Sequence, residues 1–220
     1  MDTYENVIAP KAIDFSNYVE NKKVYLQIRR FVEFFIAFIL LLIFSPLMVI
    51  VAIVIRATSK GACIYTQDRM GLNGIPFKIY KFRSMKKVDD VVFQKYKYEC
   101  EHGIISKAVD DPRITTIGKF IRKYSIDELP QLFNVIKGNM SLIGPRPTIE
   151  SLYTNPYQIK IRTVVRPGMT GLWQVKDRAN SHITQQLAYD IEYIENLSMK
   201  LDLYILYKTI SVVISGKGAY

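Results

Sequence analysis

The sequence predicts an α+β fold, mostly helical with a small β-hairpin. It also predicts a monotopic membrane protein, held by an N-terminal re-entrant helix-break-helix. Three observations carry this. An apolar run from Phe31 to Ile55 contains one charge, Glu33, and one interruption, Ser45-Pro46. From Ala62 to Met85, β-branched and aromatic residues alternate with polar ones around Gly71-Leu-Asn-Gly74, the pattern of two strands and a turn. The remainder divides into short helical segments between polar or Gly/Pro-containing loops. The expected divisions are a polar lead-in at 1–25, a re-entrant membrane helix at 26–58 and a cytoplasmic domain at 59–220.

The lead-in becomes helical from about Tyr18. A straight helix of about 25 residues would be roughly 37 Å long, enough to cross hydrocarbon. Its late start, its length and the lack of a small-residue cleavage site exclude a secretory signal. Pro46 removes a backbone donor inside the run. Basic residues flank both ends, with Lys22, Lys23, Arg29 and Arg30 before and Arg56 and Lys60 after. Both flanks therefore prefer the cytoplasmic side. Arms of about 14 and about 9 residues, roughly 21 and 14 Å, are each too short to cross. Ser45 is placed to bond a carbonyl that Pro46 frees. Glu33 falls at interface depth. A Pro-kinked spanning helix is the alternative this pattern leaves open.

After the hairpin, Lys86–Ala108 is polar and without period, a lid or a loop. Thr115–Tyr124 and Leu129–Ile136 read as short helices, and Glu150–Val165 holds another. Arg166–Gly171 is a turn-rich loop. Gln185–Glu195 is helical. Leu201–Ile214 is an apolar helix, too short and polar to span, that suits either a core or a membrane interface.

The formal charge of +10 suits an anionic partner. The basic residues are spread through the chain, and no nucleic-acid motif is present, so no nucleic-acid partner is expected. Cys63 and Cys100 lack a pairing pattern and read as reduced thiols. His102 and His182 lack metal-ligand spacing.

Asp127-Glu128 carries the chemistry. Arg122 lies five residues upstream of Asp127, and Arg146 sits between Pro145 and Pro147, which pre-organise it. Lys81 and Arg83 lie on the hairpin. Carboxylates beside fixed cations suit a phosphate anhydride: cations neutralise its oxygens and a carboxylate attacks phosphorus. A structural reading competes, because Ser125-Ile-Asp-Glu128 fits a capping box. Pro130 falls at N5 if Ser125 is the cap, and at N3 if Asp127 is. Either register leaves both carboxylates at a helix start, where the dipole favours ionisation.

Five motifs in order, Tyr80-Lys-Phe-Arg-Ser-Met85, Asp111-Pro-Arg-Ile-Thr115, Ser125-Ile-Asp-Glu-Leu-Pro-Gln-Leu-Phe-Asn-Val135, Gly144-Pro-Arg-Pro147 and Arg166-Pro-Gly-Met-Thr-Gly171, resemble the bacterial sugar transferases. These are the polyprenol-phosphate hexose-1-phosphate transferases, and the resemblance runs from about Val24 to the end. The terminal Gly216-Lys-Gly-Ala219 and the Ser45-Pro46 break, which looks like the family's re-entrant helix, add to it. Ile126 stands where the family usually has Leu. Longer members carry four spanning helices and a nucleotide-fold domain ahead of this region, so the chain looks like the minimal form.

The resemblance implies transfer of a sugar-1-phosphate from a UDP-sugar to a polyprenol phosphate such as undecaprenyl phosphate, with release of UMP. The course implied is ping-pong, with Asp127 as nucleophile and Glu128 assisting the acceptor proton or the metal. Magnesium would bridge Asp127 and the diphosphate. Lys81, Arg122 and Arg146 would hold phosphates, and Arg178 would contact nucleotide or acceptor. The implied location is the bacterial inner membrane, among its lipids, with the catalytic domain on the cytoplasmic face. A homo-oligomer stays open, as do the identity of the sugar and the glycan pathway. Two other readings compete: a membrane-anchored basic scaffold for an anionic partner, and a hydrolase of nucleotide sugars.

Overall fold

The computed structural model describes residues 15–86, 113–152, 156–177 and 183–216. Arg178, Cys100, both histidines and all but the first residue of the 86–108 stretch lie outside them. The lead-in ends in α1 (Phe15–Asn21), which starts before Tyr18. The apolar run becomes one 36-residue helix, α2 (Lys23–Thr58), with Pro46 inside it. It is long and apolar enough to cross a membrane. Pro46 offers no N–H to the Leu42 carbonyl four residues back. Ser45 Oγ donates to that carbonyl at 2.8 Å, as the sequence led us to expect.

Both arms of α2 pack against the same body. Ala37, Leu40 and Leu41 join the main core with Leu132, Val135, Leu142 and Ile205. Leu47, Met48, Val51 and Ile55 join a second cluster with Phe82, Ile121 and Ile126. The outer side of the helix is bare, with Phe38, Ile39, Leu42, Ile43, Val49, Ile50 and Ile53 all exposed. A contiguous apolar surface of this kind marks an interaction site.

The foot of α2 departs from expectation. Glu33 is buried rather than at an interface. It accepts from the Leu142 and Ile143 N–H groups at 3.1 and 3.4 Å, with Arg29 Nε 3.7 Å away. Arg29 also donates to Tyr193 Oη at 2.6 Å and to Asp202 Oδ2 at 3.2 Å, and Tyr25 Oη donates to Asp202. A carboxylate this deep is tolerable because backbone donors and a guanidinium surround it.

The hairpin forms as expected. β1 (Ile64–Met70) and β2 (Pro76–Phe82) pair antiparallel, with Ile64 opposite Phe82. In the connecting 3-10 turn, Leu72–Gly74, Asn73 and Gly74 take φ values of 55° and 74°, which these two residue types tolerate. Next comes α3 (Thr116–Lys123), capped by Thr115 Oγ1, which accepts from Gly118 N–H at 2.9 Å. A 3-10 turn, Ile126–Glu128, leads to α4 (Gln131–Lys137). Buried Asn134 of α4 ties that helix to β2: its Oδ1 accepts from Tyr80 N–H at 3.0 Å and its Nδ2 donates to the Lys78 carbonyl at 2.8 Å.

The expected Arg166–Gly171 loop contains a strand. β3 (Ser141–Ile143) and β4 (Gly168–Thr170) pair in parallel, with Ser141 opposite Gly168. Three-residue strands are too short to show a period of two. Glycine allows the pairing, since a Cβ on Gly168 would collide with the Gly144 amide nitrogen. The Gly144-Pro-Arg and Arg166-Pro-Gly motifs are thereby joined.

The expected 150–165 helix is a 3-10 turn, Glu150–Leu152, and then α5 (Pro156–Arg162). A five-residue helix, α6 (Leu172–Lys176), carries buried Trp173. The chain continues through α7 (Ile183–Glu195) and α8 (Met199–Ser215). Helix α8 contributes to the core through buried Asp202 and Ile205, while Leu203, Tyr207, Ile210 and Ile214 are exposed.

Candidate active site

Asp127 and Glu128 occupy the 3-10 turn between α3 and α4. Ser125 enters that turn with φ 55°, and its carbonyl accepts from Glu128 N–H at 3.1 Å. Neither capping register forms. The Ser125 side chain makes no cap bond, and Pro130 itself sits at the cap position of α4. Because Pro130 has no N–H to donate, the α-helix begins just beyond it, and the two acids stay on the tighter turn.

The Glu128 carboxylate reaches across the site. Its Oε1 accepts from Lys81 Nζ at 2.7 Å and from Arg146 at 3.2 Å. Lys81 comes from β2, and Arg146 from the segment after β3. The Arg146 guanidinium also lies 5.7 Å from the Trp173 ring centroid, within cation–π range. Arg122, on the last turn of α3, adds its field at Asp127. Four of the residues singled out in the sequence, Lys81, Arg122, Glu128 and Arg146, thus converge on Asp127.

Burial pushes the Asp127 carboxyl up to about 6, and the neighbouring Glu128 carboxylate pushes the same way. Lys81, Arg122 and Arg146 pull it down, but less strongly. The ionisation expected from a helix dipole is therefore outweighed by burial. The group is still mostly ionised at neutral pH, and it is more basic than an ordinary aspartate, which favours attack on phosphorus.

Arg83 is turned elsewhere. It donates to the Ser59 carbonyl at 2.9 Å, to Ser59 Oγ at 2.8 Å and to the Lys60 carbonyl at 2.7 Å, closing the C-terminal end of α2. Sequence reading also missed residues that support the site. Asn134 was visible only as part of a motif, and Trp173 was not singled out at all. Arg162 and Asp190 stood alone in the sequence, with nothing to mark them as partners.

Among the described residues no group of three or more His, Cys, Asp or Glu is gathered. The donor set available to a metal is Asp127, with Glu128 already held by two cations. This sparse set fits magnesium, which takes one or two carboxylates and completes its shell with substrate phosphates and water.

Comparison with known proteins bears on this geometry. Residues 24–216 match the family model described as bacterial sugar transferase. The chain is 39% identical over 201 residues to the exopolysaccharide production protein ExoY of Sinorhizobium fredii, covering 87% of this chain and 88% of that one. It is 38% identical over 206 residues to the UDP-N-acetylgalactosamine-undecaprenyl-phosphate N-acetylgalactosaminephosphotransferase of Aeromonas hydrophila, covering 89% of this chain and 46% of that protein. It is 38% identical over 201 residues to the undecaprenyl-phosphate galactose phosphotransferase of Salmonella typhimurium, covering 88% of this chain and 42% of that protein.

Proposed function

The chain belongs to the bacterial sugar transferase family, and on that premise we propose that it moves a sugar-1-phosphate from a UDP-sugar to a polyprenol phosphate, releasing UMP and initiating a glycan. It is a phosphotransferase. The observation that carries the fuller reading is Asp127, a carboxylate pushed up to about 6 beside Lys81, Arg122, Arg146 and Glu128.

The chemistry divides into two displacements. Asp127 Oδ attacks the phosphorus bearing the sugar. A P–O bond forms, the bond to the UMP oxygen breaks, and UMP leaves. An oxygen of the acceptor phosphate then attacks the same phosphorus, and the acyl phosphate bond breaks to return the Asp127 carboxylate. The acyl phosphate preserves much of the anhydride's free energy, so neither step need be uphill. Lys81, Arg122 and Arg146 hold the phosphate oxygens and offset the charge that builds there; Arg178, by the family resemblance, contacts nucleotide or acceptor. Glu128 keeps Lys81 and Arg146 aimed and takes part in proton handling at the acceptor. Magnesium, when bound at Asp127, supplies further neutralisation of diphosphate oxygens.

The long helix is re-entrant in this reading. Its support is the packing of Ala37 and Leu41 on one arm, and Val51 and Ile55 on the other, against a single body. A spanning helix would separate its ends by roughly 30 Å of hydrocarbon, leaving one arm without its partners. The bare stripe from Phe38 to Ile53 faces acyl chains, and the domain lies on the cytoplasmic face of the bacterial inner membrane. Holding donor and lipid acceptor at one surface removes much of the encounter entropy.

The test is UMP release by detergent-purified protein with magnesium and a panel of UDP-sugars, each with and without undecaprenyl phosphate. Sustained release that requires the lipid supports the proposal and names the donor. Sustained release without lipid would replace it with a hydrolase.

A further inference from the structure

Arg146 is held by more than its side-chain contacts. Its carbonyl accepts from Arg162 at 3.0 Å. Arg162 and Asp190 meet each other at 2.5 Å, and each is almost wholly inside the protein, 3% and 1% exposed. One comes from α5 and the other from α7, so a pair that bridges two separate helices holds the Arg146 carbonyl through Arg162. Ionic pairs this deep are expensive to desolvate and add little net stability, so stability alone is a poor reason to build one here. Arg146, in turn, reaches Glu128 Oε1 at 3.2 Å and lies over Trp173.

We propose that the buried Arg162–Asp190 pair is a positioning device for Arg146: it clamps that residue's main chain so that the guanidinium meets the phosphate being transferred. Neither residue touches substrate, and both act through Arg146. The inference rests on the transferase reading for its kinetic consequence, but the placement of Arg146 is measurable without turnover. Trp173 is the sole tryptophan of the chain, so intrinsic fluorescence reports the guanidinium over its ring.

The experiment uses the full chain in detergent and four proteins: wild type, Arg146→Ala, Arg162→Met/Asp190→Leu, and the combination of all three substitutions. Replacing a buried pair by apolar residues of similar volume is commonly neutral for folding. Should that pair fail to fold, Arg162→Leu/Asp190→Met redistributes the volume and serves with the same outcomes. Arg146→Ala is expected to shift Trp173 emission, and the apolar pair to shift it in the same direction. With the UDP-sugar that supports turnover, the apolar pair is expected to lower kcat/KM by up to about a hundredfold through misplacement of Arg146. Adding Arg146→Ala to the pair is expected to leave activity where Arg146→Ala alone puts it, as for residues that act as a unit. Emission that stays at the wild-type value in the apolar pair overturns the inference, and so do kinetic losses that multiply in the combined variant. If no UDP-sugar supports turnover, the transferase reading fails by itself, and the emission comparison still decides the placement of Arg146.

Discussion

Lys81 Nζ donates to Glu128 Oε1 at 2.7 Å, and both side chains are largely buried. That bond joins the middle of the molecule to its chemistry, because Lys81 stands on the strand that Asn134 fixes and Glu128 adjoins Asp127. Each of these charges acts on the Asp127 carboxyl, and with opposite sign.

The first prediction concerns pH. Attack needs the ionised carboxylate, so log kcat/KM should fall on the acid side of about 6, where Asp127 gains its proton. Glu128 raises that value, so Glu128→Gln should move the acid limb to lower pH. Lys81 lowers it, so Lys81→Met should move the limb to higher pH. Residual turnover across a pH series reads both shifts. Identical limbs in all three proteins would separate the limb from Asp127.

The second concerns topology. In a background with Cys63→Ser and Cys100→Ser, single cysteines at Asn21 and Lys60 should both react with an impermeant reagent from the cytoplasmic side only. Reaction from opposite sides would mean that α2 spans. Ser45→Ala removes the donor to the Leu42 carbonyl and should lower stability by about 1 kcal/mol, read as a lower Tm in detergent.

The third concerns the foot of α2. Glu33→Ala leaves the Leu142 and Ile143 N–H groups without the acceptor they now share and weakens the charge balance around Arg29. Breaking a buried network of this kind should cost about 3 kcal/mol. A Tm unchanged from wild type would show that the network does not anchor the helix.

The fourth concerns Gly168. A Cβ there meets the Gly144 amide nitrogen, two residues before Arg146. Gly168→Ala should therefore cost about 2 kcal/mol of stability and lower kcat/KM as well, since the strand that leads to Arg146 must shift. Wild-type values for both would remove the steric argument.

How much of this was readable in the chain follows from distance along it. The hairpin was legible because alternation and Gly71-Leu-Asn-Gly74 are local signals. Ser45 and its Leu42 partner were legible because a proline determines which carbonyl it strands. Asp127, Arg122 and Arg146 stood out because unlike charges crowd a short stretch. The β3–β4 pairing did not, since three residues carry no period and the partners lie 27 positions apart, from Ser141 to Gly168. Glu33 was misread because its compensating donors, the Leu142 and Ile143 amides, are backbone groups with no sequence signature. The capping box was misread because Glu128 found stronger partners in Lys81 and Arg146 than a backbone N–H. The partial burial of Asp127 was hidden for the same reason: it is a property of the assembled body.

The most direct test of the account is the covalent step. Protein incubated with its UDP-sugar and magnesium, without lipid, should release about one equivalent of UMP per active site and gain one sugar-phosphate, as ping-pong chemistry requires. The added mass should map to the peptide carrying Asp127, disappear when undecaprenyl phosphate is supplied, and never form on Asp127→Asn. Lipid-dependent turnover with no sugar-phosphate on the wild-type protein, or the same adduct on Asp127→Asn, would contradict the account.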